Sequence, residues 1–177
     1  MIRRPRALAP IREYADLGRA LLAHRIELDA SRREIEAALG WPRGLLRAIE
    51  TNRKCLSEAT TGPLLDLLGL RLILRDDTGH EIECASYQEI VAALIARRHA
   101  LGLSQEDINY SANLQDGYSN KLEVGIRRLG PKSLPALLGA LRLQMHVEPR
   151  LRHRWQPPEP AIYSPPSYIV LPLEIAT

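Results

Sequence analysis

The sequence predicts a mainly α-helical protein built from two copies of one unit, with a short β-strand after each copy. The first observation is an ungapped internal repeat, because residues 14–74 match the residues 73 positions later at fifteen of 61 positions. The apolar residues are mostly Leu, Ile and Ala, and Phe is absent, which favours a helical core over a sheet sandwich. Capping-box signals at helix starts are the third observation: Ser31 with Glu34, Ser86 with Glu89, and Ser104 with Asp107.

Two positions of the repeat keep a conformational requirement although the residue changes. Gly40 corresponds to Asn113, and Asn52 corresponds to Gly125. Gly and Asn tolerate the left-handed backbone conformation best. Both copies are therefore predicted to bend sharply at the same two places.

The repeat divides the chain into five segments. Each unit is close to the lower size limit for independent folding, so the two copies are expected to pack against each other as a pseudo-dimer. The predicted segments are a basic arm at 1–12, a first unit at 13–74, a hairpin connector at 75–85, a second unit at 86–147 and a Pro-rich tail at 148–177.

Each unit is expected to hold four helices and one strand. The first helix of the first unit covers about 13–28, and its second helix runs from Ser31 to just before Gly40. The third helices are predicted at 42–51 and 115–124, the fourth at 62–69 and 133–142, and the strands at 71–74 and 143–147. The strands should pair with each other across the two units, and the turn at 77–79 should lead into a hairpin strand at 81–84.

Composition argues against several functional classes. The longest apolar run, Ile90 to Ala96, is too short to cross a bilayer, and the Arg-rich first 30 residues lack the apolar stretch of a signal peptide, so a cytoplasmic protein is expected. Cys55 and Cys84 lack redox or metal spacing, and the five histidines are scattered, so neither a metal nor a cofactor is expected. No phosphate loop, nucleophile elbow or catalytic constellation occurs, so the protein is not expected to be an enzyme.

The formal net charge is only +3, but cations cluster locally in both copies. Such clusters occur in nucleic-acid-binding proteins and also on ordinary solvated helices, and the residues alone leave both interpretations open. The clusters comprise Arg32, Arg33, Arg43, Arg47, Arg53 and Lys54 in the first copy, and Lys121, Arg127, Arg128 and Lys132 in the second.

The repeated unit resembles the lambda-repressor-like helix-turn-helix family, also called the Cro/cI or XRE family, over about 13–70 and 86–143. In the second copy the resemblance rests on Ser104-Gln105-Glu106-Asp107-Ile108, on Leu122-Glu123-Val124-Gly125 and on Arg127. The sequence departs from the family pattern at four positions. The first copy has Arg32 in place of the Gln, so this copy is expected either to read DNA differently or to serve mainly as a packing partner. The family has a small residue where Glu36 and Asn109 lie, and an apolar one at Ser119.

The resemblance implies that the third helix of each unit enters the major groove of DNA while the start of the second helix lies over the backbone. It also implies structural ion pairs between Arg25 and Glu50 and between Arg98 and Glu123. The implied DNA-binding residues are Gln105, Gln115, Asp116, Tyr118, Asn120, Lys121, Arg127 and Arg128 in the second copy, and Arg32, Arg43, Arg47, Arg53 and Lys54 in the first.

The resemblance therefore predicts a sequence-specific transcriptional regulator that binds double-stranded DNA through recognition helices at 42–51 and 115–124. Since the copies differ at the reading positions, one chain should prefer an asymmetric site, and a homodimer would prefer a long palindrome. The alternative is an antitoxin-like or partner-binding protein, in which the strands or the C-terminal tail around Tyr168 to Leu173 contact another protein.

Overall fold

A computed structural model describes residues 10–150 and Trp155, and it confirms the mainly helical class. Within this part of the chain there are eight helices and one small antiparallel sheet of three strands. Residues 1–9 of the predicted arm and most of the predicted Pro-rich tail lie outside the described residues. We call residues 10–85 the first half and residues 86–150 the second half.

The first half contains four helices and two strands: α1 (Tyr14–Glu27), α2 (Arg32–Ala38), α3 (Leu45–Glu50), α4 (Glu58–Leu68), β1 (Leu70–Asp76) and β2 (Glu81–Cys84). The second half contains four helices and one strand: α5 (Tyr87–Ala100), α6 (Gln105–Ser111), α7 (Tyr118–Glu123), α8 (Ser133–Ala140) and β3 (Leu143–Pro149).

The internal repeat is present in the structure as well as in the sequence. The elements α1, α2, α3 and β1 begin and end 73 residues before α5, α6, α7 and β3, respectively. The left-handed backbone positions repeat in the same way, including the predicted pairs Gly40 with Asn113 and Asn52 with Gly125. Three further pairs were not predicted: Asp29 with Gly102, Gly44 with Gly117, and Gly69 with Arg142.

The predicted pairing of the two equivalent strands is observed. The sheet order is β2-β1-β3, and β1 pairs with β3 antiparallel over seven residue pairs. At the centre of this ladder Ile73 faces His146, its own counterpart in the repeat. A local two-fold axis through that pair would exchange the strands.

The same relation extends to the edges of the sheet. Cys84 of β2 faces Leu72 of β1, and Ile11 forms an isolated bridge to Met145 of β3. Ile11 is the counterpart of Cys84, and Met145 is the counterpart of Leu72. Ile11 is buried, and its N–H donates a hydrogen bond to the Met145 carbonyl at 2.7 Å. The backbone just before α1 is therefore bound to the sheet.

One hydrophobic core joins the two halves. It combines leucines of α4 and α8 with the inward residues of β1 and β3 and with Ile90 and Leu94 of α5. Arg97 of α5 adds a polar link, because its guanidinium contacts Asp76 at the end of β1 at 3.0 Å and Asp77 in the following turn at 2.5 Å. The halves therefore share a core, a sheet and the ion pairs of Arg97 with Asp76 and Asp77.

Two sets of predicted boundaries were wrong. The fourth helix of the first half begins at Glu58 rather than 62, because Ser57 and Thr60 form a capping box and the helix continues through Pro63. The third helices begin at Leu45 and Tyr118 rather than 42 and 115, because Gly44 and Gly117 adopt the left-handed conformation immediately before them. No helix in the described residues is long and apolar enough to cross a membrane.

Candidate nucleic-acid interface

The two helix pairs α2–α3 and α6–α7 carry the predicted DNA-binding residues, and each pair is joined by a fixed turn. In the first half, Trp41 N–H donates to the Glu36 carbonyl at 2.7 Å. The Glu36 side chain is buried and accepts a hydrogen bond from Leu46 N–H at 2.9 Å, at the first turn of α3. A carboxylate at a helix N-terminus satisfies a free amide donor there. Glu36 therefore fixes α3 relative to α2.

Asn109 has the same role in the second half. Its side-chain oxygen accepts hydrogen bonds from Ser119 N–H at 3.0 Å and from the Ser119 hydroxyl at 2.7 Å. Both residues are almost fully buried. Glu36, Asn109 and Ser119, which depart from the pattern of the resembled family, thus have a structural explanation. A side-chain oxygen of the second helix bonds the third helix in both halves, and Ser119 is buried with its hydroxyl satisfied.

The predicted ion pair Arg25–Glu50 lies at the base of α3. Arg25 Nε contacts Glu50 Oε1 at 2.6 Å, and Arg32 Nε contacts Glu50 Oε2 at 2.5 Å. The Glu50 side chain is only 1 % exposed, and Arg25 also donates to the Ala30 carbonyl at 2.7 Å. One buried carboxylate therefore connects α1, α2 and α3.

The predicted ion pair Arg98–Glu123 repeats this arrangement, but the neutral Gln105 takes the place of Arg32. Arg98 contacts Glu123 Oε1 at 3.0 Å, and Gln105 Nε2 donates to Glu123 Oε2 at 2.7 Å. Arg32 and Gln105 were predicted to contact DNA, and each is half-buried with a hydrogen bond to these carboxylates. A role in fixing the helices thus accounts for both side chains within the protein.

Tyr14, which is buried, and Tyr87, which is half-buried, hold the basic loops that follow α3 and α7. The Tyr14 hydroxyl accepts a hydrogen bond from Leu56 N–H at 2.7 Å, and the Tyr87 hydroxyl accepts one from Leu129 N–H at 2.8 Å. Burial raises the pKa of both phenols above its ordinary value, so both stay neutral at physiological pH. The sequence did not indicate that these tyrosines bind the loops, although both occupy the same position of the repeat.

Most of the remaining predicted residues are exposed. Tyr118 is half-buried and donates its hydroxyl proton to the Arg128 carbonyl at 2.8 Å. Arg43, Gln115 and Asp116 lie in the turns before α3 and α7 rather than on the helices. The exposed members are Gln115, Asp116, Asn120, Lys121, Arg127, Arg128, Arg43, Arg47, Arg53 and Lys54.

The cations are divided between these segments and the sheet side of the molecule. Of the 19 Lys and Arg residues that the structure describes, nine contact a carboxylate of another described residue within 4 Å. This paired group includes the arginines of β1, those next to β3, and Arg97 of α5: Arg71, Arg75, Arg97, Arg142 and Arg150. Arg12, next to the Ile11 bridge, has no such contact. Nine of the ten without such a contact lie in residues 31–54 and 104–132, which we call the first and second helix–turn segments.

The two helix–turn segments differ in charge. The first contains six cations and three carboxylates, and the second contains four of each. At their starts, hydrogen bonds from Ser31 and Ser104 lower the pKa of Glu34 and Asp107 below their ordinary values, so both capping carboxylates are ionised at neutral pH. The first segment is therefore the more basic surface.

Neither a metal centre nor a known relative supplies another assignment. No group of three or more His, Cys, Asp and Glu side chains suited to a metal ion occurs among the residues that the structure describes. Comparisons of the chain with protein-family models, with curated proteins and with solved structures found no match.

Proposed function

We propose that the protein is a sequence-specific regulator that binds double-stranded DNA through α3 and α7, with the two halves acting as a pseudo-dimer of helix-turn-helix units. The observation that carries the proposal is the segregation of charge. Cations without a described carboxylate partner are concentrated in the two helix–turn segments, whereas five of those around the sheet are paired and Arg12 is the exception. Unpaired cations on one kind of surface are what phosphate binding requires.

The rigid attachment of α3 and α7 supports the proposal further. Each helix is held at its start by Glu36 or Asn109 and at its end by Glu50 or Glu123. Base readout needs side chains that are held in a fixed position, and here the exposed polar groups lie on helices with two polar anchors. The proposal requires α3 and α7 to meet successive major-groove turns on one duplex face, about 34 Å apart.

The two units would contribute differently to the complex. Asn120 and Lys121 on α7 offer an amide for adenine and an ammonium for guanine. Arg43 and Arg47 in the first segment favour guanine or phosphate, and Arg53 and Lys54 add backbone contacts. One chain would then bind an asymmetric site, with more base reading in the second unit and more charge in the first.

Selection from a randomised duplex pool at two salt concentrations tests this proposal. Lys121→Ala should relax the preference at one base position, at a cost of about 1–3 kcal/mol. Arg47→Ala should weaken binding to all sequences and lower the salt dependence by roughly one phosphate contact. Arg142→Ala is the matched control, because its side chain is 70 % exposed and lies on the sheet side near Asp77.

Three outcomes separate the explanations. An asymmetric motif that Lys121→Ala changes and Arg142→Ala leaves unchanged supports sequence-specific reading. Equal losses in all three variants would mean that only total charge matters and would reject specific reading. A pool without enrichment would reject DNA recognition and favour the alternative of a protein partner.

A further inference from the structure

A groove lies in the second half, against the start of α4. Its cavity of about 680 Å³ lies between α5, the end of α7 with the loop that follows it, and the first turn of α4 from the first half. Drug-sized ligands occupy pockets of roughly 300–1,000 Å³. The repeat provides a direct comparison, because every element that lines the groove has a counterpart in the other copy.

One residue of the repeat changes the helix contact beside the groove. In the first half Gly18 of α1 lies directly against the Glu50 carbonyl, and a Cβ at this position would also lie 2.9 Å from Asn52 Oδ1. The counterpart of Gly18 is Val91, which is half-buried and lines the groove. Because Val91 cannot approach α7 as closely as Gly18 approaches α3, the two helices stay apart and the groove remains open.

The loop after α7, beside the groove, carries two exposed apolar side chains. Val124 is 60 % exposed and Ile126 is 72 % exposed, and their counterparts in the first half are Thr51 and Arg53. The groove wall is formed by Val91, Ala92 and Ile95 of α5. Exposed apolar side chains beside an apolar wall indicate a contact surface for an apolar group.

The charges at the groove favour an anion. Two carboxylates line it, but both already have donors, since Glu58 accepts a hydrogen bond from Gln88 and Glu123 is bound by Arg98. Arg127 and Arg128 also line the groove, and within the described residues neither contacts a carboxylate. Gln88 is neutral and leaves the charge of Glu58 in place, so with Glu58, Glu123, Arg98, Arg127 and Arg128 counted the formal net charge around the groove is +1.

We propose that this groove binds a small amphipathic carboxylate, with its apolar chain against α5 and its carboxylate on Arg127 and Arg128. Arginine binds carboxylates through charge-assisted and often paired hydrogen bonds. Arg127 lines a second cleft with Gln115 and Lys132 in the helix–turn segment. A bound carboxylate would withdraw both arginines from phosphates, so the ligand should weaken DNA binding. This last step rests on the proposed function.

The binding step is tested on the full chain without DNA, with octanoate as the probe and octanol as its uncharged match. Backbone amide shifts in a titration should saturate at α5 and residues 122–128, and octanoate should bind about tenfold more tightly than octanol, as one charge-assisted contact predicts. Replacing Arg127 and Arg128 with Gln should remove that preference.

A blocking variant and its control complete the titration. Ala92→Phe should fill the groove and abolish the saturable shifts. Ala37→Phe should retain them, since its counterpart Tyr110 is 90 % exposed and shows that an aromatic side chain is accommodated there in solvent. Equal binding of octanoate and octanol, shifts that persist in Ala92→Phe, or shifts that grow with protein concentration before any probe is added would overturn the proposal; the last would mean that a second copy covers the groove.

The regulatory step is tested separately on a selected duplex. Octanoate at saturation should weaken binding of the wild-type chain and leave binding by Ala92→Phe unchanged. Unchanged binding in both would overturn the regulatory step. If no duplex binds at all, the proposed function fails and the carboxylate site is judged on the titration alone.

Discussion

At the residue scale, Glu50 and Glu123 occupy the same position of the repeat but differ in burial and in their binding partners. Glu50 binds two arginines and its side chain is 1 % exposed, whereas Glu123 binds one arginine and one glutamine and is 19 % exposed. A buried charge without its partner is strongly destabilising, and a more exposed one is hydrated at lower cost. The first unit therefore depends more on its carboxylate.

This difference gives a prediction for two matched variants. Glu50→Gln should lower the free energy of unfolding by about 3 kcal/mol, because it leaves Arg25 buried without a counter-charge. Glu123→Gln should cost only about 1 kcal/mol. Urea denaturation of both variants and the wild type measures the two values. Equal losses would show that burial of the carboxylate does not determine its contribution.

Among the contacts of single residues, the two ion pairs could be predicted and the polar contacts between helices could not. The ion pairs Arg25–Glu50 and Arg98–Glu123 follow the expectation from the family resemblance. The bonds from Glu36 and Asn109 to the following helix could not be predicted, because in the sequence they are single polar residues without a distinguishing spacing. Only the fold shows that their side chains reach the next helix.

At the element scale, local signals predicted helix existence better than helix boundaries. Ser31 and Ser104 mark the residues before α2 and α6, as their capping boxes indicated. The start of α4 was predicted at 62, four residues too late, because Ser57 and Thr60 do not form the Ser-x-x-Glu pattern that marks a helix start in a sequence. The starts of α3 and α7 depend on left-handed glycines, whose conformation the sequence does not specify.

The packing of α1 on α3 gives a second prediction. Gly18→Ala places a Cβ against the Glu50 carbonyl, which is backbone and cannot move aside cheaply, so the variant should lose about 1–3 kcal/mol of stability. Gly139→Ala is the control in α8, where a Cβ meets no atom within 4 Å. It should gain roughly 0.5–1 kcal/mol from reduced backbone entropy of the unfolded chain. Thermal unfolding of both variants checks the opposite signs, and a neutral Gly18→Ala would contradict the close helix contact.

At the scale of the whole molecule, the repeat determines how the halves combine. Antiparallel pairing of β1 with β3, centred on Ile73 and His146, joins equivalent strands as two subunits of a symmetric dimer would. The sequence allowed this pairing to be predicted, because each copy ends in one apolar strand that needs a partner. The groove beside Val91 could not be predicted. The sequence shows that Val91 replaces Gly18, but the effect of this change on helix packing appears only in three dimensions.

The shared sheet gives a final prediction about the separated halves. Residues 1–85 would keep β1 but lose β3, which leaves an edge with Leu72 and Leu74 exposed to water. Such an edge pairs with another copy, and the symmetric register means that β1 can pair with a second β1 centred on Ile73. Sedimentation of 1–85 should therefore show a dimer, and mixing it with 86–177 should give a one-to-one complex that unfolds in a single transition. A monomeric 1–85 with the unfolding midpoint of the intact chain would mean that the first unit folds independently, and the two halves would then be linked domains rather than a single cooperative structure.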